Sequence, residues 1–305
     1  MAGSLAYFLP SAKLAWDATG QVVSIASPTP SPSTTSSLPS PSPLAQQQGA
    51  FTVLLLGSDD DSKFSADHVL TQSMILVRVV PSTHSVTMLS IPRDLYVPLS
   101  TGGSGKIDGA YSYGRAGAAI ATVQNDFGVH INDYIWIGLL GLVKLIDAIG
   151  GIDVVTSNPV IDDYYPLDIN TTYPYGYQRV AVLAGPQHLD GIHAMQYVRS
   201  RHGDLQSDIG RSKRQQQVLQ AIRQKAKQVS PADVPTIATA LGGEIKTSIS
   251  LDRVAELIPL AATFDNPDSI TQLVMLPPLF HAGGPGDSLM PNWSAILALV
   301  RQYFP

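Results

Sequence analysis

Not one of the 305 residues is a cysteine. That excludes a disulfide framework, a thiolate metal site and a cysteine nucleophile, and it leaves the compartment open. Charge is also scarce: 14% of residues are charged, and 19 basic residues face 24 acidic ones for a net charge of −5. Such a chain lacks the basic face and high pI that broad nucleic-acid binding requires. No nucleic-acid partner is expected, and any anion site must be local. Long apolar runs are missing as well. The opening "MAGSLAYFLPSAKLAW" is broken by Pro10 and Lys13 and falls short of the roughly 20 residues that cross a bilayer. It also lacks the basic start, apolar run and small-residue cleavage site of a signal peptide. Signatures of several enzyme classes are absent: there is no G-x-S-x-G elbow and no H-E-x-x-H. "GGSGKID" fails as a phosphate loop, because Ser100 stands where the first Gly is required and Ile107 where Ser or Thr should bind magnesium.

What remains is globular in type, 44% hydrophobic and long enough for one large core or two modest ones. Residues 1–23 form a residual N-terminal segment. After it, "SIASPTPSPSTTSSLPSPSPLAQQQ", Ser24 to Gln48, cannot build a core and reads as a semi-rigid spacer, giving a linker over 24–50. From Phe51 the character changes. "FTVLLL", "QSMILVRVV" and "SVTMLSI" have the length and β-branched content of strands. Helical patterns follow in "AGAAIATVQNDFG" and in "LLGLVKLIDAIG", where Leu139, Leu142, Val143, Ile146 and Ile149 recur at helical spacing. "GIDVV" then reads as a buried strand after the Gly150-Gly151 turn. Further helices are expected near 188–199, 209–227, 251–263 and 293–304, with a strand "TQLVML" between the last two. Strands interleaved with helices imply an α/β domain over 51–305, with helices covering a central sheet.

Six basic residues crowd into "YVRSRHGDLQSDIGRSKRQQQVLQAIR": Arg199, Arg201, Arg211, Lys213, Arg214 and Arg223. Stepping 100° per residue from Asp208 as a helix start puts Asp208, Arg211, Gln215, Leu219 and Ile222 on one side. The C-terminal half of that stripe suits a core. Its N-terminal half places an acid, an arginine and an amide where burial is expected, at the helix end that favours anions. Arg199 and Arg201 point the same way if the chain is extended there, and their planar forks match phosphate oxygens. Together Arg199, Arg201, Arg211 and Gln215 suggest a diphosphate site, while Lys213, Arg214 and Arg223, off the stripe, read as solvated. A purely structural Asp208–Arg211 pair is the plainer alternative.

The first half supplies complementary groups at strand ends, where α/β sheets place ligands. "LLLGSDDD" ends a strand in Asp59, Asp60 and Asp61, which could hold Mg²⁺ or simply make an acidic turn. "SIPRDLYVPL" brings Arg93 and Asp94 to a second strand end, with an internal Arg93–Asp94 role expected for the acid. His188, His193 and His202 read as ordinary surface or helix residues.

"LLLGSD", "SMILVRV", "LSIPRDLYV", "KIDGAYSYG", "AIGGIDV", "LDGIHAMQYVRSR" and "DIGRSKRQQQVLQAI" occur in that order and resemble the LytR-CpsA-Psr family. The resemblance implies a three-layer α/β/α sandwich around a mixed sheet, with a hydrophobic groove for a polyprenyl chain. It implies a bacterial, extracytoplasmic phosphotransferase that moves a glycopolymer from a polyprenyl diphosphate carrier in the membrane lipid to a peptidoglycan acceptor. It carries diphosphate binding onto Arg93, Arg199, Arg201, Arg211 and Gln215, with Lys106 beside them, and a Mg²⁺ ligand onto Asp59. Asp208 becomes a candidate base or an orienter of Arg211. Two departures stand out. The family's N-terminal membrane anchor is missing or reduced to "MAGSLAYFLP", and Gln72-Ser73-Met74 replaces the usual Asp-Ser-Met, so an amide takes the place of one metal carboxylate. A polyprenyl diphosphate or pyrophosphate hydrolase, with water as acceptor, and a non-enzymatic envelope or transcription regulator are the alternatives. The helix Leu139 to Ile149 is either a wall of the lipid groove or a plain core helix.

Overall fold

A computed structural model describes residues 49–58, 69–167, 169, 172–173, 175–200, 207–229, 233–250 and 269–305. The apolar runs that open the domain become β1 (Phe51–Ser58), β2 (Thr71–Val80) and β3 (Ser85–Ile91). A short ribbon follows, β4 (Tyr96–Pro98) with β5 (Ser104–Lys106), then α1 (Ala110–Phe127), β6 (Asp133–Ile137) and α2 (Leu139–Ala148). Next come β7 (Ile152–Thr156), β8 (Val160–Pro166), β9 (Tyr177–Val182), β10 (Gly185–Leu189), α3 (Gly191–Arg199) and α4 (Ser207–Ala226). The chain continues through α5 (Val234–Leu241), β11 (Ile245–Thr247), β12 (Ile270–Val274), β13 (Phe280–Gly284), β14 (Ser288–Pro291) and α6 (Trp293–Tyr303).

Six strands make the central sheet in the order β11-β6-β1-β2-β3-β12. β1 runs parallel to β6 and β3 parallel to β12, while the other pairs are antiparallel, so the sheet is mixed as expected. Period-two alternation divides its faces. Leu54, Leu56, Met74, Leu76 and Leu89 point to a core closed by Val123 and Phe127 of α1 and Ile296 and Val300 of α6. Leu55, Gly57 and Ile75 point the other way, toward α2 and α4. The result is an α/β/α sandwich with one filled face and one face left partly open.

Close packing holds the second helical layer in place. A Cβ on Gly191 would overlap the backbone of Val143, so only glycine lets α3 approach α2 this closely. Asp147 Oδ1 accepts from Gly191 N at 2.7 Å, and Asp190 caps α3 through His193 N. The Gly150-Gly151 turn is real, with φ of 79° and 80°. The strand after it differs from expectation: β7 alternates between buried and exposed residues and pairs with β10 outside the central sheet, so it is half-buried. The helix expected from 188 starts at Gly191, because His188 pairs within β10. The helix expected over 251–263, the spacer through residue 48 and the segment 1–23 lie outside the described residues.

Candidate functional site

Between the open face of the sheet and α2 and α4 lies a cavity of about 770 Å³, toward the upper end of the roughly 300–1,000 Å³ that ligand pockets span. Its walls are apolar: Leu55, Ile75, Ile135 and Ile137 from the sheet, Leu142 and Leu145 from α2, and Val218, Leu219 and Ile222 from α4. α2 therefore serves both expected purposes, since Ile146 and Ile149 pack into a core while Leu139, Leu142 and Leu145 face the cavity. The polar lining consists chiefly of Ser58, Gln72, Ser73, Arg93, Asp162, Arg199, Arg211 and Gln215. Among the described lining residues, three guanidiniums stand against one acid, Asp162.

Strand β2 supplies two of these groups through a bulge. Gly57 pairs with Ser73 and Ser58 with Thr71, so Gln72 is the extra residue. A bulge breaks the alternation of side chains, and here the consecutive Gln72 and Ser73 both line the cavity. Gln72 Oε1 accepts from Arg93 Nη1, and Ser73 Oγ donates to Gln215 Oε1 at 2.9 Å. Arg93 is gripped from behind as well: Asp94 Oδ2 lies 3.2 Å from its Nε, and Asp94 Oδ1 meets Lys106 Nζ at 2.8 Å. The expected internal role of Asp94 is thus observed. Lys106 sits one step behind Arg93, on the far side of that carboxylate.

Helix α4 divides its polar residues by direction. Arg211, only 6% exposed, and Gln215 face the cavity with Leu219 and Ile222, as the stripe predicts. Gln216 turns to the sheet, where Nε2 donates to Ser90 Oγ at 2.7 Å and to Leu273 O at 2.8 Å. Gln217 turns the other way, accepting from Tyr197 Oη at 2.6 Å and donating to Val155 O at 2.6 Å.

For the arginines one expectation holds and one is corrected. The helix expected to run to Arg199 does end there, at the last residue of α3, so the condition of an extended chain at Arg199 is not met; the chain leaves the helix at Ser200. Arg214, expected to be solvated, is 6% exposed. Its guanidinium donates to Tyr197 O, to Ser200 O at 2.7 Å and to Gly210 O at 3.3 Å, and lies 5.5 Å from the Tyr197 ring centroid. It satisfies carbonyls that the end of α3 leaves without helical partners, and it places a cation where the helix dipole favours one. The sequence pattern missed it because those acceptors belong to another helix. Asp162 was missed too: it is 1% exposed, lines the cavity and accepts from Tyr164 N at 3.0 Å. Beside it, burial pushes the Tyr165 phenol above its ordinary range, and the Arg199 guanidinium pulls against that shift. Asp59 and Arg201 lie outside the described residues, as does the Asp208 side chain, although the Asp208 backbone is in the first turn of α4.

Of the two residues expected to hold magnesium, Asp59 lies outside the described residues, so only Gln72 can be placed. Gln72 Oε1 already accepts from a guanidinium, whose charge opposes a second cation at that atom. Among the described residues, no group of three or more His, Asp or Glu could hold a metal.

The described site is an apolar cavity closing on a cluster of guanidiniums. The model of the LytR_cpsA_psr family matches residues 17–277, and the chain belongs to that family. It is 32% identical over 209 residues to an Enterococcus faecalis protein named polyisoprenyl-teichoic acid–peptidoglycan teichoic acid transferase TagU, covering 68% of this chain and 64% of that protein. It is 34% identical over 211 residues to a Streptococcus mutans protein named biofilm regulatory protein A, covering 66% of this chain and 50% of the other. The chain thus spans less than two thirds of the length of these curated relatives. Among solved structures, the crystal structure of B. subtilis TagV is similar with a TM-score of 0.67 at 26% identity, covering 84% of this chain and 97% of TagV.

Proposed function

We propose that this chain is a phosphotransferase that moves a glycopolymer from a polyprenyl diphosphate carrier to peptidoglycan. The observation that carries this reading is the junction of an apolar groove with Arg93, Arg199 and Arg211. A prenyl chain fits the first and a diphosphate the second. The name of the E. faecalis relative agrees in both carrier and acceptor.

In this reading a hydroxyl oxygen of the acceptor attacks the sugar-linked phosphorus. A new phosphodiester forms, the bond to the bridging oxygen breaks, and polyprenyl monophosphate leaves carrying the released electron pair. The hydroxyl proton passes to a carboxylate, for which Asp208 is our candidate. Phosphoryl transfer depends mainly on positioning and charge stabilisation, and the chain's own groups suit both. Arg93, steadied by Gln72 and Asp94, and Arg211, beside the Ser73-anchored Gln215, hold fixed forks toward the phosphates. Arg201, which lies outside the described residues, is assigned the same phosphate-binding role from the sequence alone. Reaction at the extracytoplasmic face of the membrane accords with the Ser/Pro spacer; among the described residues no helix is long and apolar enough to cross a bilayer.

The test is product analysis with a defined polyprenyl diphosphate glycan, with and without peptidoglycan. Glycan should become covalently attached to peptidoglycan, with one polyprenyl phosphate released per transfer, and Arg211→Ala should abolish both. Release of free glycan phosphate at the same rate without peptidoglycan would make the chain a hydrolase instead.

A further inference from the structure

The polar end of the cavity carries a second surface that the transfer chemistry leaves unused. β8 and β9 pair as an antiparallel hairpin, with an irregularity between Asp162 and Tyr165. Val160, Asp162, Tyr165, Val180 and Val182 are buried beneath it, while Tyr164 and Tyr177 are 65% and 67% exposed. Both exposed tyrosines nevertheless line the cavity. Tyr173 and Tyr175, in the loop between the strands, are 69% and 76% exposed. Five of the chain's 12 tyrosines therefore fall between 164 and 177, and only Tyr165 is buried. Asp162, Tyr164 and Tyr177 of the hairpin line the same cavity as Arg199, and Tyr165 lies close enough to Arg199 to feel its charge. A cluster of exposed aromatic rings marks an interaction site more often than a solvated surface.

The geometry points to a pyranose subsite in which Tyr164 and Tyr177 pack against sugar joined to the diphosphate. The inference rests on the carrier reading above. A sugar ring offers a face of C–H bonds and a rim of hydroxyls. A tyrosine ring offers an electron-rich face to the first and a phenolic hydroxyl to the second. The position agrees: a glycan leaving a diphosphate held by Arg93, Arg199 and Arg211 must pass the wall of the cavity nearest those residues. A bilayer surface is the less suited occupant. Residues 160–182 contain three aspartates and one arginine, whereas anionic leaflets attract Lys- and Arg-rich segments. The one described ion pair of the hairpin, Asp163 with Arg179 at 2.5 Å, neutralises that arginine.

The experiment titrates the whole chain with two polyprenyl diphosphates that differ only in one attached sugar. Titrations with a soluble peptidoglycan disaccharide and with phosphatidylglycerol vesicles run beside them. Tyr164→Ala and Tyr177→Ala should each weaken the sugar-bearing carrier roughly three- to tenfold, the size of one aromatic contact, and leave the sugar-free carrier unchanged. Tyr164→Trp should retain the sugar-dependent gain, which separates ring stacking from a loss of fold. A loss confined to the disaccharide would assign the subsite to the acceptor's sugar. Equal weakening of both carriers, no weakening of any sugar ligand, or a loss confined to vesicles would overturn the inference. If the parent fails to bind even the sugar-free carrier, the carrier reading falls; the subsite then stands only if the disaccharide arm shows the tyrosine-dependent loss.

Discussion

Arg214→Ala should destabilise the fold more than removal of any cavity-facing arginine, even though Arg214 touches no substrate in our reading. Its guanidinium serves Tyr197 O, Ser200 O and Gly210 O within a buried site. Truncation would leave at least two buried carbonyls at the end of α3 unsatisfied and a void against the Tyr197 ring. A buried acceptor without a partner costs about 1–3 kcal/mol, so the loss should total about 3–5 kcal/mol. Set against a net stability of about 5–15 kcal/mol, that is a large fraction, and it should lower Tm by about 6–20 °C in a domain of this size. Urea denaturation should show a lower midpoint at constant slope, the mark of lost stability rather than a changed denatured state. Arg214→Lys should fall between, because a single ammonium cannot reproduce a planar fork serving two carbonyls. Arg211→Ala is the comparison: Arg211 is equally buried but lines the open cavity, where water can take over its polar contacts, so its removal should lower Tm less than that of Arg214 while donor binding is lost. A Tm for Arg214→Ala within about 2 °C of the parent would refute the argument that this side chain fastens α3 to α4.

Ser73→Ala removes the hydroxyl that holds Gln215 and should weaken carrier binding by about two- to tenfold, the worth of one neutral hydrogen bond, with Tm unchanged; titration with the carrier lipid checks both. Gln72→Ala releases Arg93, and the resulting loss of carrier affinity should be the same with and without added Mg²⁺. A loss seen only in Mg²⁺ would make Gln72 a metal ligand instead. Asp126, at the end of α1, has a carboxyl pushed by burial from 3.8 up to about 7, and its Oδ2 has no hydrogen-bond partner among the described residues. The folded state therefore holds this proton more tightly than the unfolded chain, so the contribution to stability is full below 3.8 and is lost as pH rises to about 7. Asp126→Asn should flatten that part of a Tm-against-pH profile and make the protein more stable than the parent at pH 8.

Much of the frame was legible because it depends on local periodicity. β1, β2 and β3 announce themselves as β-branched runs, and the stripe of Arg211, Gln215, Leu219 and Ile222 follows from 100° per residue alone. The resemblance placed Arg93, which a strand end also suggests. What stayed hidden depends on a partner distant in sequence. The bulge at Gln72 is a register slip against β1, invisible in β2 by itself, and without it alternation would send Gln72 and Ser73 to opposite faces. The β8–β9 hairpin joins segments separated by a ten-residue loop, and its alternation is broken at Asp163 and Tyr164.

The crowding of arginines resolves into two kinds of work performed a few residues apart. An anion site needs several guanidiniums converging on one space, and that convergence is unfavourable in the empty protein because like charges approach one another at a partly buried surface. Something other than the ligand must hold them there. Asp94 does so for Arg93 from behind, and Gln72 does so with a neutral oxygen from the side. For Arg199 a further restraint comes through the backbone: Arg214 takes up the carbonyls on either side of it in the chain, at Ser200 and Tyr197, so the helix end that carries Arg199 is tied to the helix that carries Arg211. The face of α4 toward the cavity is thus free to be complementary to phosphate, while the faces turned to α3 and to the sheet are spent on holding that arrangement.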